Sequence, residues 1–260
     1  YKRQVHANTD WLIELAERFT PSYTKPIMRE LDGKEIELNR MDIINRTPNP
    51  HHLNNQLADH LSKAITSYDG ILVVEQVKMD GYGTMSPLLR AILSDIAKEH
   101  PEKIIMVDSR HFAAEYQKLS LKMNLAEALA AVKCLDPSLD DIDTGDPLSA
   151  AKISGEVFWK AHQRPVFITL GDQGIAGMAD GQFFRVPGYP VEGPIDIVGA
   201  GDSVLAAIGI SLCAGANPQE AAYIGNLVGS ITIQEIGTTG KASQHDLRQR
   251  HKEYQKLNQR

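Results

Sequence analysis

Three apolar runs constrain this chain more than anything else in it: Ile71-Leu72-Val73-Val74-Glu75, Lys103-Ile104-Ile105-Met106-Val107-Asp108 and Val166-Phe167-Ile168-Thr169-Leu170. None alternates apolar with polar residues, so each predicts a strand covered on both faces rather than a half-solvated one. Between the first two, Ser86-Pro87 opens an amphipathic segment that continues to Ile96, with cap and proline in the order a helix start requires. Strand, helix, strand implies a parallel sheet with right-handed crossover helices. Sheets of this kind bind ligands beyond the carboxyl ends of their strands.

The remaining segments are read around that sheet. Trp11, Leu12, Leu15, Ala16 and Phe19 recur on one helical face and predict a helix over residues 10–19, capped by Asn8 or Thr9 and stopped at Pro21. Residues 24–29 and 35–42 read as two strands around the turn Leu31-Asp32-Gly33-Lys34. Such a hairpin has little apolar face of its own and suits a solvated edge, a lid or a dimer contact. Helices follow over residues 53–66, 148–161 and 219–234, with a polar terminal helix from residue 244. Ala179-Asp180-Gly181 marks a turn between strands at 175–178 and 182–186. There is no internal repeat and no low-complexity segment.

Composition narrows the function classes. At 260 residues with 42% hydrophobic content, the chain can bury one substantial core. A formal net charge of −6 without extended basic runs argues against nucleic acid as a partner. No apolar stretch is long enough to span a bilayer, and the first six residues lack the apolar core of a signal peptide, so no membrane partner and a cytoplasmic location are expected. Cys134 and Cys213 lie in apolar helical contexts and are expected as small buried hydrophobes of a reducing compartment. The pair His51-His52 lacks an acidic or cysteine partner at ligand spacing, so it is not read as a metal site. The acidic run from Asp140 to Asp146 lacks the bidentate glutamate of a calcium loop and is read as a solvated loop.

The chemistry concentrates at Gly199-Ala200-Gly201-Asp202, which leads into the apolar run from Val204 to Leu212. Two glycines around one alanine let the backbone turn tightly and present its N–H groups; a helix starting there adds the positive end of its dipole, and Asp202 places a carboxylate beside them. That is a place for an anion next to a base. The same residues also suit an ordinary helix start with Asp202 or Ser203 as its cap. Asn124 and Glu127 pose a similar choice, between an N-cap with its capping-box partner and a polar pair turned towards a ligand. Gly171, Gly174 and Gly177 do not have the spacing of a dinucleotide fingerprint, so a Rossmann dehydrogenase is not expected.

In chain order, four motifs make the sequence resemble the PfkB (ribokinase-like) family of ATP-dependent sugar kinases. They are Asn124-Leu125-Ala126-Glu127 as the family's N-x-x-E, Thr169-Leu170-Gly171-Asp172-Gln173-Gly174 as its T-x-G-x-x-G, Asp196-Ile197-Val198-Gly199-Ala200-Gly201-Asp202 as its D-T-x-G-A-G-D, and Asn226 in the following alanine-rich helix. Within the family, the hairpin with Tyr23-Thr24-Lys25 and Arg40-Met41-Asp42 is similar to the lid of the heptose 7-phosphate kinase domain of ADP-heptose synthase. The resemblance implies a ribokinase-like α/β fold with a mainly parallel sheet and a small β lid. It implies one kinase domain over residues 1–260, with residues 23–44 as the lid and 45–260 as the core carrying the nucleotide site. The family's segment upstream of the lid has no counterpart in the chain.

The implied activity is transfer of the γ-phosphoryl group of ATP to a hydroxyl of a sugar or sugar phosphate, heptose 7-phosphate among them. Asp202 would be the base, and Gly199, Ala200 and Gly201 the backbone donors to the transferring group. Glu127 with Asn124 would place Mg²⁺. Asn124, Thr169, Gly171, Gly174 and Asn226 would surround ATP, Lys25 would face a phosphate on the sugar, and the lid would carry a homodimer contact. Ile197 stands where the family has threonine, beside the monovalent-cation loop of some members, which leaves potassium use open. The alternative from another class is a degenerate relative that binds nucleotide or sugar without catalysis.

Overall fold

Each apolar run becomes a strand of one six-stranded sheet in the computed structural model, which describes residues 8–139 and 145–257. The extreme N-terminus and residues 140–144 of the acidic run lie outside the described residues. The first part of the chain carries four short strands, β1 (Ser22–Thr24), β2 (Ile27–Arg29), β3 (Glu35–Glu37) and β4 (Met41–Ile43). Then come α1 (His51–Ser67), β5 (Gly70–Glu75), α2 (Pro87–Glu99), β6 (Ile104–Ser109), β7 (Ser120–Asn124), α3 (Leu125–Leu135) and α4 (Pro147–His162). The last third holds β8 (Val166–Thr169), β9 (Ile175–Ala179), β10 (Gln182–Val186), α5 (Ala200–Cys213), α6 (Pro218–Thr232) and α7 (Gln244–Leu257).

The sheet order is β10-β9-β8-β7-β6-β5, with β5 to β8 mutually parallel and β9 and β10 antiparallel. Side chains alternate across it and build two cores. Val107, Leu121, Met123, Val166 and Ile168 pack with Leu89, Leu93, Val132 and Phe158 of α2, α3 and α4. Met106, Phe167 and Ile175 pack with Leu205, Ile208, Ala221 and Ala222 of α5 and α6. Burial of both faces removes any need for alternation, and each large side chain so buried contributes about 1.5–3 kcal/mol. The turn between β9 and β10 places Asp180 at φ 50° and Gly181 at φ 73°, the left-handed pair a two-residue hairpin requires.

β7 is a strand that periodicity does not announce. Lys122 interrupts its apolar residues, and a buried lysine is tolerable there because Asp108 of the adjacent β6 lies 2.6 Å from its Nζ. β5 departs from its expected cover: it is the edge of the sheet among the described strands, and on one of its faces Leu72 is 37% and Val74 42% exposed. The predicted helix over residues 10–19 does not form. Two isolated turns stand there instead, closed by Leu12 N–H to Thr9 O and Arg18 N–H to Leu15 O. A ten-residue helix is marginal without a surface for its apolar face, and Leu12 and Phe19 are exposed while Arg18 donates to the carbonyls of Thr47, Pro48 and Tyr82.

The polar hairpin forms in two pieces, β2 with β3 and β1 with β4, both antiparallel. Pro26 has no N–H to give a ladder, so the run expected over 24–29 breaks there, and its carbonyl accepts instead from Leu38 N–H across the break. Cys134 and Cys213 are both exposed, contrary to the expected burial. Each falls in the last turn of its helix rather than among the residues that face a core. No described helix is long and apolar enough to cross a membrane.

Candidate active site

The turn before α5 is built by Asp196 and Gly199. Asp196 accepts from Val198 N–H at 3.0 Å with one carboxylate oxygen and from Gly237 N–H at 2.9 Å with the other, tying the turn to the segment after α6. These N–H groups, Val198 first, hold its carboxyl below the usual carboxylate range, with a smaller push from the nearby Lys25 ammonium. Gly199 is the N-cap at φ 77°, and a Cβ there would lie 2.8 Å from Thr239 Cγ2. Neither Asp202 nor Ser203 caps the helix. Ser203 Oγ donates to Gly199 O at 2.9 Å, and Asp202 stands exposed in the first turn. Ala200 N–H is engaged with Ile197 O at 3.1 Å. The N–H groups left open by the first turn of α5 are therefore those of Gly201 and Asp202.

Asn124 and Glu127 form a complete capping box at the start of α3. Glu127 N–H donates to Asn124 Oδ1 and Asn124 N–H donates to Glu127 Oε2, both at 2.9 Å. Asn124 pairs in register with Thr169 of β8, so both stand at the carboxyl ends of neighbouring parallel strands. Thr169 Oγ1 donates to Met123 O at 3.4 Å. Gly171, at φ 62°, and Gly174, at φ 95°, shape the tight turn after β8, and Gly174 is packed so closely on Val186 O that only glycine fits. The Asn226 amide donates to Val186 O at 2.9 Å and to Pro187 O at 3.1 Å, which ties α6 to the exit of β10. Lys25, between β1 and β2, pairs with Glu37 of β3 at 3.0 Å.

The sequence profile described as pfkB family carbohydrate kinase matches residues 40–245. The chain belongs to this family. All the site residues predicted above except Lys25 fall within the matched span. The Bifunctional protein HldE of Geobacter metallireducens is 24% identical over 202 residues, which is 77% of this chain and 39% of that protein. The chain thus spans about two-fifths of the length of that curated relative. Phosphofructokinase-2 from Escherichia coli in complex with potassium superposes with a TM-score of 0.64 at 18% identity, over 85% of this chain and 67% of that one. Ribokinase from Cryptococcus neoformans in complex with ADP gives 0.62 at 16% identity, over 86% and 70%. The likeness establishes a ribokinase-like fold for this pfkB-family chain.

One pair near the glycine turn belongs to no motif. Lys122 and Asp108 are both buried, and Lys122 Nζ lies 3.1 Å from where a Cβ on Gly201 would be. The signal for it in the sequence is slight: a lysine flanked by Leu121 and Met123, and a carboxylate at the carboxyl end of a buried strand. A cavity of about 700 Å³ lies away from this turn, past the edge of β5, lined by Trp11, Phe19, Tyr23, Glu75 and Tyr82 among others and not by Asp202. Next to it Arg90, on α2, is buried against Glu75 at 2.7 Å, Asp80 at 2.5 Å and Glu115 at 2.8 Å. That network joins α2 to the carboxyl end of β5 and the loop after it.

Proposed function

We propose that this chain is a kinase domain that transfers the γ-phosphoryl group of ATP to a hydroxyl of a sugar phosphate, with heptose 7-phosphate as the acceptor to test first. The observation that supports it is the start of α5. An exposed Asp202 shares one helix turn with the open N–H groups of Gly201 and Asp202, and the lid cation Lys25 lies close enough to bias Asp196 at the base of the same turn. Phosphoryl transfer needs positioning and charge neutralisation more than covalent chemistry, and this turn offers both. Asp202 takes the proton of the acceptor hydroxyl as its oxygen bonds to the γ-phosphorus and the bond to the ADP oxygen breaks. The helix N-terminus receives the negative charge of the group in transfer. Lys25, released from Glu37, pairs with the phosphate of the acceptor.

The residues present fit a magnesium ion. Glu127 uses Oε2 in its capping box and keeps Oε1 for a cation or its waters, and Mg²⁺ is commonly held by one or two carboxylates, phosphate oxygens and water. When bound, the ion neutralises phosphate oxygens of the nucleotide. For a monovalent cation, Ile197 offers no side-chain oxygen and each Asp196 oxygen already accepts one backbone N–H, while backbone carbonyls could still supply ligands. In this reading Asn124, Thr169, Gly171 and Gly174 border the nucleotide, and Asn226 supports its pocket by fixing the exit of β10. Residues 23–44 act as the lid and residues 45–260 as the core. Exposed Ile27, Met28, Met41 and Ile43 give the lid an apolar surface for a homodimer contact. A reducing, ATP-containing cytoplasm is the compartment that suits the activity.

ADP release measured over a panel of sugars and sugar phosphates, with the full-length protein, tests the proposal. Acceptor-dependent turnover that Asp202→Asn abolishes supports it. Nucleotide binding without turnover on any acceptor would favour the degenerate binder instead.

A further inference from the structure

We propose that Lys122 is a catalytic residue of this site, its ammonium touching the transferring phosphoryl group from beneath the first turn of α5; this rests on the kinase reading above. The argument begins with an electrostatic conflict. Helix N-termini carry positive potential and favour anions, whereas cations are stabilised at C-termini. Lys122, 4% exposed, nevertheless places its ammonium against Gly201, the second residue of α5. Its partner Asp108 neutralises one charge at 2.6 Å, but nothing in that pair neutralises the open N–H groups above it.

A buried ion pair is in itself a weak source of stability, and replacing one by apolar residues of similar volume is often neutral or stabilising. The arrangement is reconciled when an anion enters and is shared by the ammonium and the N–H groups of Gly201 and Asp202. Gly201 permits this. A Cβ there would stand 3.1 Å from Nζ, and glycine leaves that space beside the ammonium open. A terminal phosphoryl group has the charge and the several acceptor oxygens to engage both sets of donors. During transfer the acceptor oxygen gains its bond to phosphorus, the ADP oxygen keeps the electron pair of the broken bond, and the proton goes to Asp202. Lys122 stays protonated throughout, and Asp108 holds it in place.

The test compares ATP and AMP binding by calorimetry, sugar-dependent turnover and thermal stability in the full-length protein. Lys122→Met is expected to weaken ATP binding about tenfold or more while leaving AMP binding unchanged, and to lower kcat about a hundredfold. Because this variant leaves Asp108 buried without its partner, the double variant Asp108→Asn with Lys122→Met is made alongside it. Stability should recover in the double variant, but ATP affinity and turnover should not. If the double variant regains wild-type ATP affinity and turnover, or if Lys122→Met weakens ATP and AMP alike, Lys122 is only a structural partner of Asp108 and the proposal falls. A wild-type protein that binds ATP no more tightly than AMP and transfers nothing would overturn the kinase reading itself, a separate result from an active wild type matched by an active Lys122→Met.

Discussion

The starts of α3 and α5 have the same plan up to one residue and opposite outcomes. Each has an acidic residue at the third helical position, Glu127 in α3 and Asp202 in α5. In α3 the N-cap is Asn124, its side chain accepts from Glu127 N–H, and the glutamate reaches back to Asn124 N–H. In α5 the N-cap is Gly199, which has no side chain to give, and no cap hydrogen bond forms. A third start, at α6, repeats the α3 solution, with Asn217 and Glu220 bonded at 2.9 Å in both directions. A cap that satisfies its helix occupies its own carboxylate and N–H groups. A glycine start leaves both available at α5.

The largest effect should come from Asp202→Asn, which keeps the shape of the open start and removes the proposed base. We expect kcat to fall about 10³-fold with ATP affinity and melting temperature unchanged, as general-base losses do; kinetics beside calorimetry decide it. Gly199→Ala attacks the backbone that keeps α5 uncapped. It places a side chain at φ 77° against Thr239 and should cost about 1–3 kcal/mol by denaturant unfolding, with turnover lost as the turn shifts.

The next contrast lies between two identical boxes. Glu127→Ala and Glu220→Ala should each cost about 1 kcal/mol, or about 2–4 °C in melting temperature. Only Glu127→Ala should also raise the Mg²⁺ concentration needed for turnover, and equal magnesium titrations for the two would remove Glu127 from the metal site. The smallest change is Asp202→Glu. Its extra methylene should let the carboxylate reach back towards Gly199 N–H, gaining a few tenths of a kcal/mol in stability while turnover drops.

Much of the fold is legible where local chemistry and tertiary placement agree. The runs at β6 and β8 read directly as strands, because full burial on two faces needs apolar residues at every position. Ser86-Pro87 and Asp180-Gly181 work within a few residues of themselves, so their roles need no distant partner. β7 is illegible for the opposite reason: Lys122 is a plausible strand residue only when Asp108 of another strand is beside it. The segment 10–19 has a helical period, but of its apolar face Trp11 packs on α1 and Tyr68 while Leu12 and Phe19 stay exposed. The exposure of Leu72 and Val74 depends on what covers their face of β5, and no property of either residue records that.

The amino-acid sequence by itself determined the parallel α/β arrangement, the glycine start of α5 and the residues on offer at the strand ends, since these follow from periodicity, turn chemistry and motif order. It left Asn124 with Glu127, and Gly199 with Asp202, as two instances of one ambiguity between cap and site. The tertiary structure shows a closed capping box at the first and an uncapped glycine turn at the second. It also brought Lys122 against Gly201, a residue far from it along the chain. Hydrogen-bond closure and long-range charge placement depend on distances between atoms far apart in the chain, and only the folded geometry supplies those.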